Sequence, residues 1–410
     1  MPILPFILLL ISTALAQTNA CNLSSGQELT ERQQEQFKSL LASGGDPAAI
    51  RFNMAIDYAR IGNQQKALEI LERALADAPW LDPSSEKDFD ALKNCDRFQK
   101  LVEGVERKYP ARVAGQVVVT IQQKDLIPEG LAVDPADGSF YLSSIYHRKI
   151  VNVGAHGDVR DFVREGQDGL LGVLGMKVDP SDRSVWAASE RAGAAALFHF
   201  DRNGRTLGKY FPLEAGKHLF NDLVVTPAHD VFVTDSEDNS VYKLPHGSDK
   251  LVRIDLPGRY YPNGLALGPD GTRLYVAHAF GVAVLETVTG KTNELTVPRG
   301  ISDAAGDGLY YWQGNLIAIQ NGFGANRIVQ LRLDHTGTAI IAGKLLEFRS
   351  KTLELPTTGA VYRGKFYYIV NSQIDHEDAG KLKNPDQLKP VKIAALPLDQ
   401  WGPGATNEKK

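Results

Sequence analysis

Cysteine is almost missing from this chain: Cys21 and Cys95 are the only two in 410 residues. Two thiols cannot complete a structural zinc site on their own. In an oxidising compartment they can pair, but the sequence does not give their separation, so the pairing stays open. Lipid modification of Cys21 is disfavoured, because Thr18-Asn19-Ala20 lacks the leucine usual three residues before such a cysteine. An excess of positive charge is also lacking. Forty-five Lys and Arg face 49 Asp and Glu, for a net charge of −4, so no basic field points to nucleic acid. No serine-nucleophile motif, phosphate loop or nucleotide fingerprint is found, which removes the enzyme classes built on them. Beyond the N-terminus, no apolar run is long enough to cross a bilayer.

The opening MPILPFILLLISTALAQ reads as a secretory signal peptide over residues 1–16. An apolar run leads to Ala14-Leu15-Ala16, and cleavage is expected before Gln17. No Lys or Arg precedes the run; the alternative, an uncleaved anchor, needs a longer span. The mature protein is therefore expected in the periplasm or secreted, with no membrane span after cleavage.

Residues 28–109 read as helices. Thr30 and Gln33 have capping-box spacing, with Phe37, Leu40 and Leu41 following on one face. Ala55, Tyr58, Gly62, Ala67, Leu71, Ala74 and Pro79 then fall at the offsets of one tetratricopeptide-like helix pair. A single unit is short of a solenoid. The segment is expected to be an appendage that packs on the next domain or mediates self-association; a peptide-binding groove, and so a protein partner, is the alternative. Pro110 begins the linker.

From Gly115 the texture becomes β-branched runs separated by turn signals, and 38 glycines suit many tight turns. One phrase recurs: Glu129-Gly-Leu-Ala-Val-Asp, Gly175-Met-Lys-Val-Asp, Asn221-Asp-Leu-Val-Val, Asn263-Gly-Leu-Ala-Leu, Asp307-Gly-Leu-Tyr-Tyr and Thr357-Thr-Gly-Ala-Val-Tyr. The copies are 46, 46, 42, 44 and 50 residues apart, the length of a four-stranded blade. The predicted fold is mainly β, a six-bladed β-propeller over residues 115–400, preceded by the small α-helical segment and followed by a tail at 401–410. The last blade lacks an outer strand, and Gln116–Gln122 is expected to supply it and close the ring.

The first residue of each phrase sits where an innermost strand enters the central channel. Glu129, Asn221, Asn263 and Asp307 thus converge on one axis, beside Gly175 and Thr357. Four hard oxygen ligands with a net charge of −2 suit Ca²⁺, while Zn, Mn or Mg stay possible divalent occupants. Strand alternation places a second polar set, Ser143, Ser189, Asp235, His278, Asn321 and Asn371, at the same face, where it is read as a substrate-binding rim. The bland alternative is that these six cap strand ends. The loop from Ser372 to Lys389 opens on that face and is a candidate lid.

The set Glu129, Asn221, Asn263 and Asp307 resembles the calcium site of the six-bladed gluconolactonase/regucalcin (senescence marker protein) superfamily; paraoxonase and diisopropylfluorophosphatase use a similar constellation. Phe220-Asn-Asp-Leu, Pro262-Asn-Gly-Leu and Asp307-Gly-Leu-Tyr carry the resemblance. Glu129-Gly-Leu-Ala departs from it, lacking the proline and tryptophan that often follow Glu-Gly, and also resembles non-catalytic NHL-type repeats. The resemblance implies an exported, divalent-metal-dependent hydrolase of lactones or related esters. Glu129, Asn221, Asn263 and Asp307 would be the ligands, and Asp307 also the catalytic base or nucleophile. The alternative is a non-catalytic metal-containing propeller acting as a binding or scaffold protein.

Overall fold

The computed structural model describes residue 21 and residues 23–154 and 156–398; the expected signal peptide and the tail lie outside them. Four helices come first: α1 (Glu31–Ala42), α2 (Pro47–Arg60), α3 (Gln64–Asp77) and α4 (Asp96–Lys108). The Thr30 hydroxyl accepts from the Gln33 backbone N–H while the Gln33 side chain accepts from Thr30 N–H, so the expected capping box closes. Asp46 caps α2 through Ala48 N–H, and Pro47 takes the first helical position, where a missing N–H costs nothing. Gly62 turns the chain between α2 and α3 at φ 78°. The small residues Ala55, Ala67 and Ala74 are fully buried where the two helices meet. Cys21 and Cys95 are joined in a disulfide, with Cα atoms 4.9 Å apart, which ties the start of the segment to the N-terminus of α4. Among the described residues no helix is long and apolar enough to cross a membrane.

Six four-stranded antiparallel sheets follow. Their innermost strands are Leu131–Val133, Gly172–Val178, Phe220–Val225, Leu265–Leu267, Gly306–Trp312 and Gly359–Tyr362, one for each copy of the repeated phrase. The sixth blade has the order Gln116–Ile121, Val391–Pro397, Lys365–Ile369, Gly359–Tyr362. Its outer strand therefore comes from the beginning of the domain, pairing Gln116 with Ala395 and Ile121 with Val391. That pairing completes the sixth blade and ties the two ends of the domain together. The buried Glu347 carboxylate holds the entering chain by accepting from the backbone N–H groups of Ala114 and Gly115 at 2.7 and 2.6 Å.

The helical segment is not a loosely attached module. Its core runs without a break into blades four and five, joining Phe52, Leu71 and Phe89 to Val282, Val284, Leu316 and Val329. Phe323 stacks on Phe280 and meets Phe52 at a tilt, with ring centroids at 5.9 and 6.3 Å. Backbone bonds cross the junction from Asp46 N–H to Phe280 O, from Ala325 N–H to Asp82 O and from Gly300 N–H to Asp77 O. The Asp82 side chain, wholly buried, pairs with Arg349 at 2.5 Å.

Two losses of stability follow. Deleting residues 115–122 opens the closing blade. Deleting residues 17–109 uncovers Phe280, Val282 and Val284, and each large apolar side chain returned to water costs about 1.5–3 kcal/mol. Both truncations are expected to melt well below the full chain and to bind more of a hydrophobic dye. A helical-segment deletion that melts with the full chain would contradict the shared core.

Candidate metal centre at the propeller axis

The repeated phrase places its first residue just ahead of regular pairing. The ladder starts at Leu131, Leu265 and Gly359 in blades one, four and six and resumes at Leu223 and Leu309 in blades three and five, in each case two residues after Glu129, Asn263, Thr357, Asn221 and Asp307 respectively. In blades three and five a register shift spans the phrase residue, between Phe220 and Leu223 and between Gly306 and Leu309. Such irregularities release a side chain from the alternation of the strand and re-aim it. Gly175 in blade two offers no ligand. A Cβ there would lie 2.6 Å from Asn221 O, so the close approach of blades two and three requires glycine.

Asn263 and Asp307 touch directly, the Asn263 amide donating to Asp307 Oδ1 at 2.9 Å. Asn321 donates to Asp307 Oδ2 at 2.6 Å and to Pro356 O at 2.9 Å. Asp307 is thus gripped from both sides by neutral amides. Glu129 receives the Ser372 hydroxyl on Oε2 at 3.3 Å, and its backbone carbonyl accepts from Thr357 and Thr358. The Asn221 amide donates to Ser236 Oγ at 3.1 Å. Glu129, Asn221 and Asp307 are only 6, 5 and 7% exposed.

The electrostatics are uncompensated. Burial raises the Glu129 carboxyl well above its usual range, and the charge of Asp307 raises it further. Burial likewise raises Asp307, to about 7, against the lowering effect of the Asn321 and Asn263 hydrogen bonds. Among the described residues, neither carboxylate takes part in an ion pair with Lys, Arg or His. The nearby ammonium of Lys177 is committed to Asp222, at 3.0 Å, over the Tyr310 ring. Asn263 Oδ1 is buried with no donor. Two acids lacking a countercharge, beside an amide oxygen lacking a donor, fit a hard divalent cation.

The six rim residues behave differently. Ser143 accepts from the backbone of Glu129 and Gly130, and Ser189 from Leu171 N–H. Asn371 bonds Pro390 O and Lys392 N–H. His278 bonds Glu294 and accepts from Phe280 N–H, and Asp235 is fully buried against His218. Only Asn321 reaches an axial side chain, while Ser143 holds the backbone of one. Asp222, Lys177 and Ser372 were not singled out as site residues, although Asp222 follows Asn221 in the phrase itself.

His218, Asp235 and Asp238 form a second cluster whose ligand-type atoms lie within 4.8 Å of one another, so it too could hold an ion. It is already satisfied by its own bonds. His218 Nδ1 meets Asp235 at 2.6 Å and Nε2 meets Glu214 O at 3.1 Å, both acceptors, which favours the imidazolium form of the ring. Asp238 is held by Arg253 at 2.6 Å. The loop 372–389 folds into a short hairpin, Glu377–Asp378 with Lys381–Leu382. Its tip at Ala379-Gly380 meets Arg191 of blade two, enclosing a cavity of about 240 Å³ with Glu190 and Gly172.

Fold and axis together define the class: a six-bladed propeller whose channel mouth gathers acids and amides from separate blades. Within that class, the chain carries an SMP-30/gluconolactonase/LRE-like region over residues 127–310, a stretch that contains all four axial residues. Solved structures similar in fold include a gluconolactonase from Xanthomonas campestris (17% identity over 68% of this chain and 89% of that one, TM-score 0.49). A PQQ-bound aldose sugar dehydrogenase from Streptomyces coelicolor is similar at 17% identity over 70% and 99%, TM-score 0.49. A virginiamycin B lyase from Staphylococcus aureus is similar at 15% over 70% and 99%, TM-score 0.49. At such identities and scores these likenesses carry no argument about chemistry. No curated protein matches the chain in sequence.

The imidazolium gives a pH prediction. Burial alone would lower the His218 pKa, but the Asp235 hydrogen bond and the Glu214 carbonyl outweigh it and the net shift is upward. A histidine raised on folding contributes stability that is full below the unfolded value of about 6.5 and is lost as pH rises through the folded value. The melting-temperature gap between wild type and His218→Gln should therefore be widest at pH 5–6 and narrow toward pH 9. A gap that widens with pH would contradict the assignment.

Proposed function

We propose that the protein is a divalent-cation-dependent hydrolase of lactones or related esters, acting at the propeller axis. The observation that carries this reading is the pair of buried carboxylates, Glu129 and Asp307, without a cationic side chain and beside the unpartnered Asn263 oxygen. It lies within the gluconolactonase-like region. Glu129, Asn221, Asn263 and Asp307 would hold the cation, and calcium suits their all-oxygen set. A bound cation supplies Lewis-acid polarisation of a carbonyl.

The residues of the chain supply the rest. Asp307 is the candidate general base; burial raises its carboxyl, while the Asn321 and Asn263 hydrogen bonds and a bound cation act the other way. Asn263 and Asn321 fix its two oxygens, so its orientation is set before substrate arrives. Asp307 would take a proton from water as the water oxygen adds to the acyl carbon; the proton then passes to the departing alkoxide as the acyl–oxygen bond breaks. Tyr261, half-exposed and within the field of both carboxylates, stands where a substrate body would rest. The hairpin 377–382 is the candidate lid. Export fits the Cys21–Cys95 disulfide, since such bonds persist in oxidising compartments.

A scaffold reading, with the ion as a structural plug, is favoured by the low exposure of Glu129 and Asp307. Turnover separates the two. Asp307→Asn keeps the shape and an oxygen but removes the base. At saturating calcium, with occupancy measured separately, it should lower turnover on a lactone and ester panel about 10²-fold or more. Asn263→Asp is a poor control, because it removes the amide donated to Asp307. A fully loaded, fully active Asp307→Asn protein would exclude Asp307 as the base, and a filled wild type inert on the whole panel would leave the scaffold reading.

Replacing residues 374–388 by a short turn tests the lid. Substrate preference should shift more than melting temperature, as measured by kcat/KM across the panel. Unchanged preference on every active substrate would rule out a lid.

A further inference from the structure

A cleft of about 600 Å³, lined by none of the four axial residues, lies where the helical segment meets blade four. One wall comes from Leu41, Asp46 and Arg51, the other from Glu294, Val297 and Asp303. Depth and charge are ordered. At the rim, Asp77 pairs with both Arg51 and Arg299, and Arg299 is 76% exposed. At the inner end, Asp46 and Asp303 are 8 and 2% exposed.

The inner carboxylates are incompletely used. Asp46 Oδ1 caps α2, and the buried Arg327 acts on Asp46 electrostatically. Glu294 is committed to Arg259 at 2.7 Å and to His278 at 3.1 Å. Asp303 Oδ2 accepts from Val282 N–H at 2.9 Å, but Asp303 Oδ1 is buried with no donor at all. Burial and the charges of Asp46 and Glu294 raise the Asp303 carboxyl well above its usual range. Gly281 also lines the cleft, and a Cβ placed there would lie 3.4 Å from both Glu294 Oε2 and His278 Nε2 and 3.6 Å from Asp303 Oδ1. An unpaired buried carboxylate oxygen on a residue that lines a cleft seeks a donor that carries positive charge.

We infer that this cleft binds a small organic cation, with an ammonium group against Asp303 Oδ1 and an apolar body along Leu295, Val297 and Pro298. The bound molecule touches both the helices and the propeller, so it strengthens their junction. The site is independent of the chemistry at the axis.

The test uses the full chain with calcium already saturating, so that the axial site does not respond. n-Butylammonium is titrated calorimetrically and its effect on melting temperature is followed, with isovalerate and magnesium as probes of the wrong kind. Saturable binding and a raised melting temperature are expected for n-butylammonium alone. Asp303→Asn, which keeps the Val282 bond, should weaken binding about tenfold or more. Val297→Trp, at the half-buried wall and away from any buried charge, should block the cleft without unfolding the chain. The proposal is overturned if wild type shows no saturable binding of n-butylammonium, if magnesium alone binds, or if Val297→Trp and a folded Asp303→Asn bind like wild type.

Discussion

Like charges buried together must find an opposite charge or give up their own. Glu129 and Asp307 are both buried, the charge of Asp307 raises the Glu129 carboxyl, and among the described residues the side chains that hydrogen-bond them are amides and hydroxyls. The rest of the channel mouth is arranged around that pair. Asp222, the third carboxylate of the neighbourhood, pairs with Lys177 at 3.0 Å, yet beyond burial its charge still raises both axial carboxyls. Ser143, Thr357 and Thr358 hold the backbone at Glu129, and Asn321 holds Asp307. The bulged inner strands of blades three and five turn Asn221 and Asp307 out of the strand alternation.

The propeller makes such a site easy to assemble, because each blade brings one residue to a common axis. It also makes the site dependent on ring closure. Gln116–Ile121 pairs with Val391–Pro397, and the Glu347 carboxylate anchors the chain just before that strand. The helical segment braces blades four and five through Phe52, Phe280 and Phe323, and these are the blades that supply Asn263 and Asp307.

Much of this was legible in the sequence, for physical reasons. A blade must repeat its length and its inner-strand entry, so the phrase at 129, 175, 221, 263, 307 and 357 marked six blades and the axial residues together. The missing outer strand of the last blade pointed to Gln116–Gln122 as its partner. The Thr30–Gln33 spacing marked the start of α1. Less legible was anything that depends on which way a strand-end side chain turns. Ser189 and Asn371 look the same in sequence whether they face a channel or cap the backbone, and here they cap it. Lys177 reads as an ordinary strand residue until the fold brings Asp222 beside it. The docking of the helices rests on Phe280 and Phe323, which sit between strands and carry no periodic signal.

The central claim is that the axial pair is built for a divalent cation, and calcium titration into chelator-treated protein tests it most directly. One calcium per chain should bind with saturable heat and raise the melting temperature, while Glu129→Gln and Asp307→Asn each weaken that binding. Wild-type protein that binds no calcium, manganese or magnesium, and melts at the same temperature with or without them, would contradict the account.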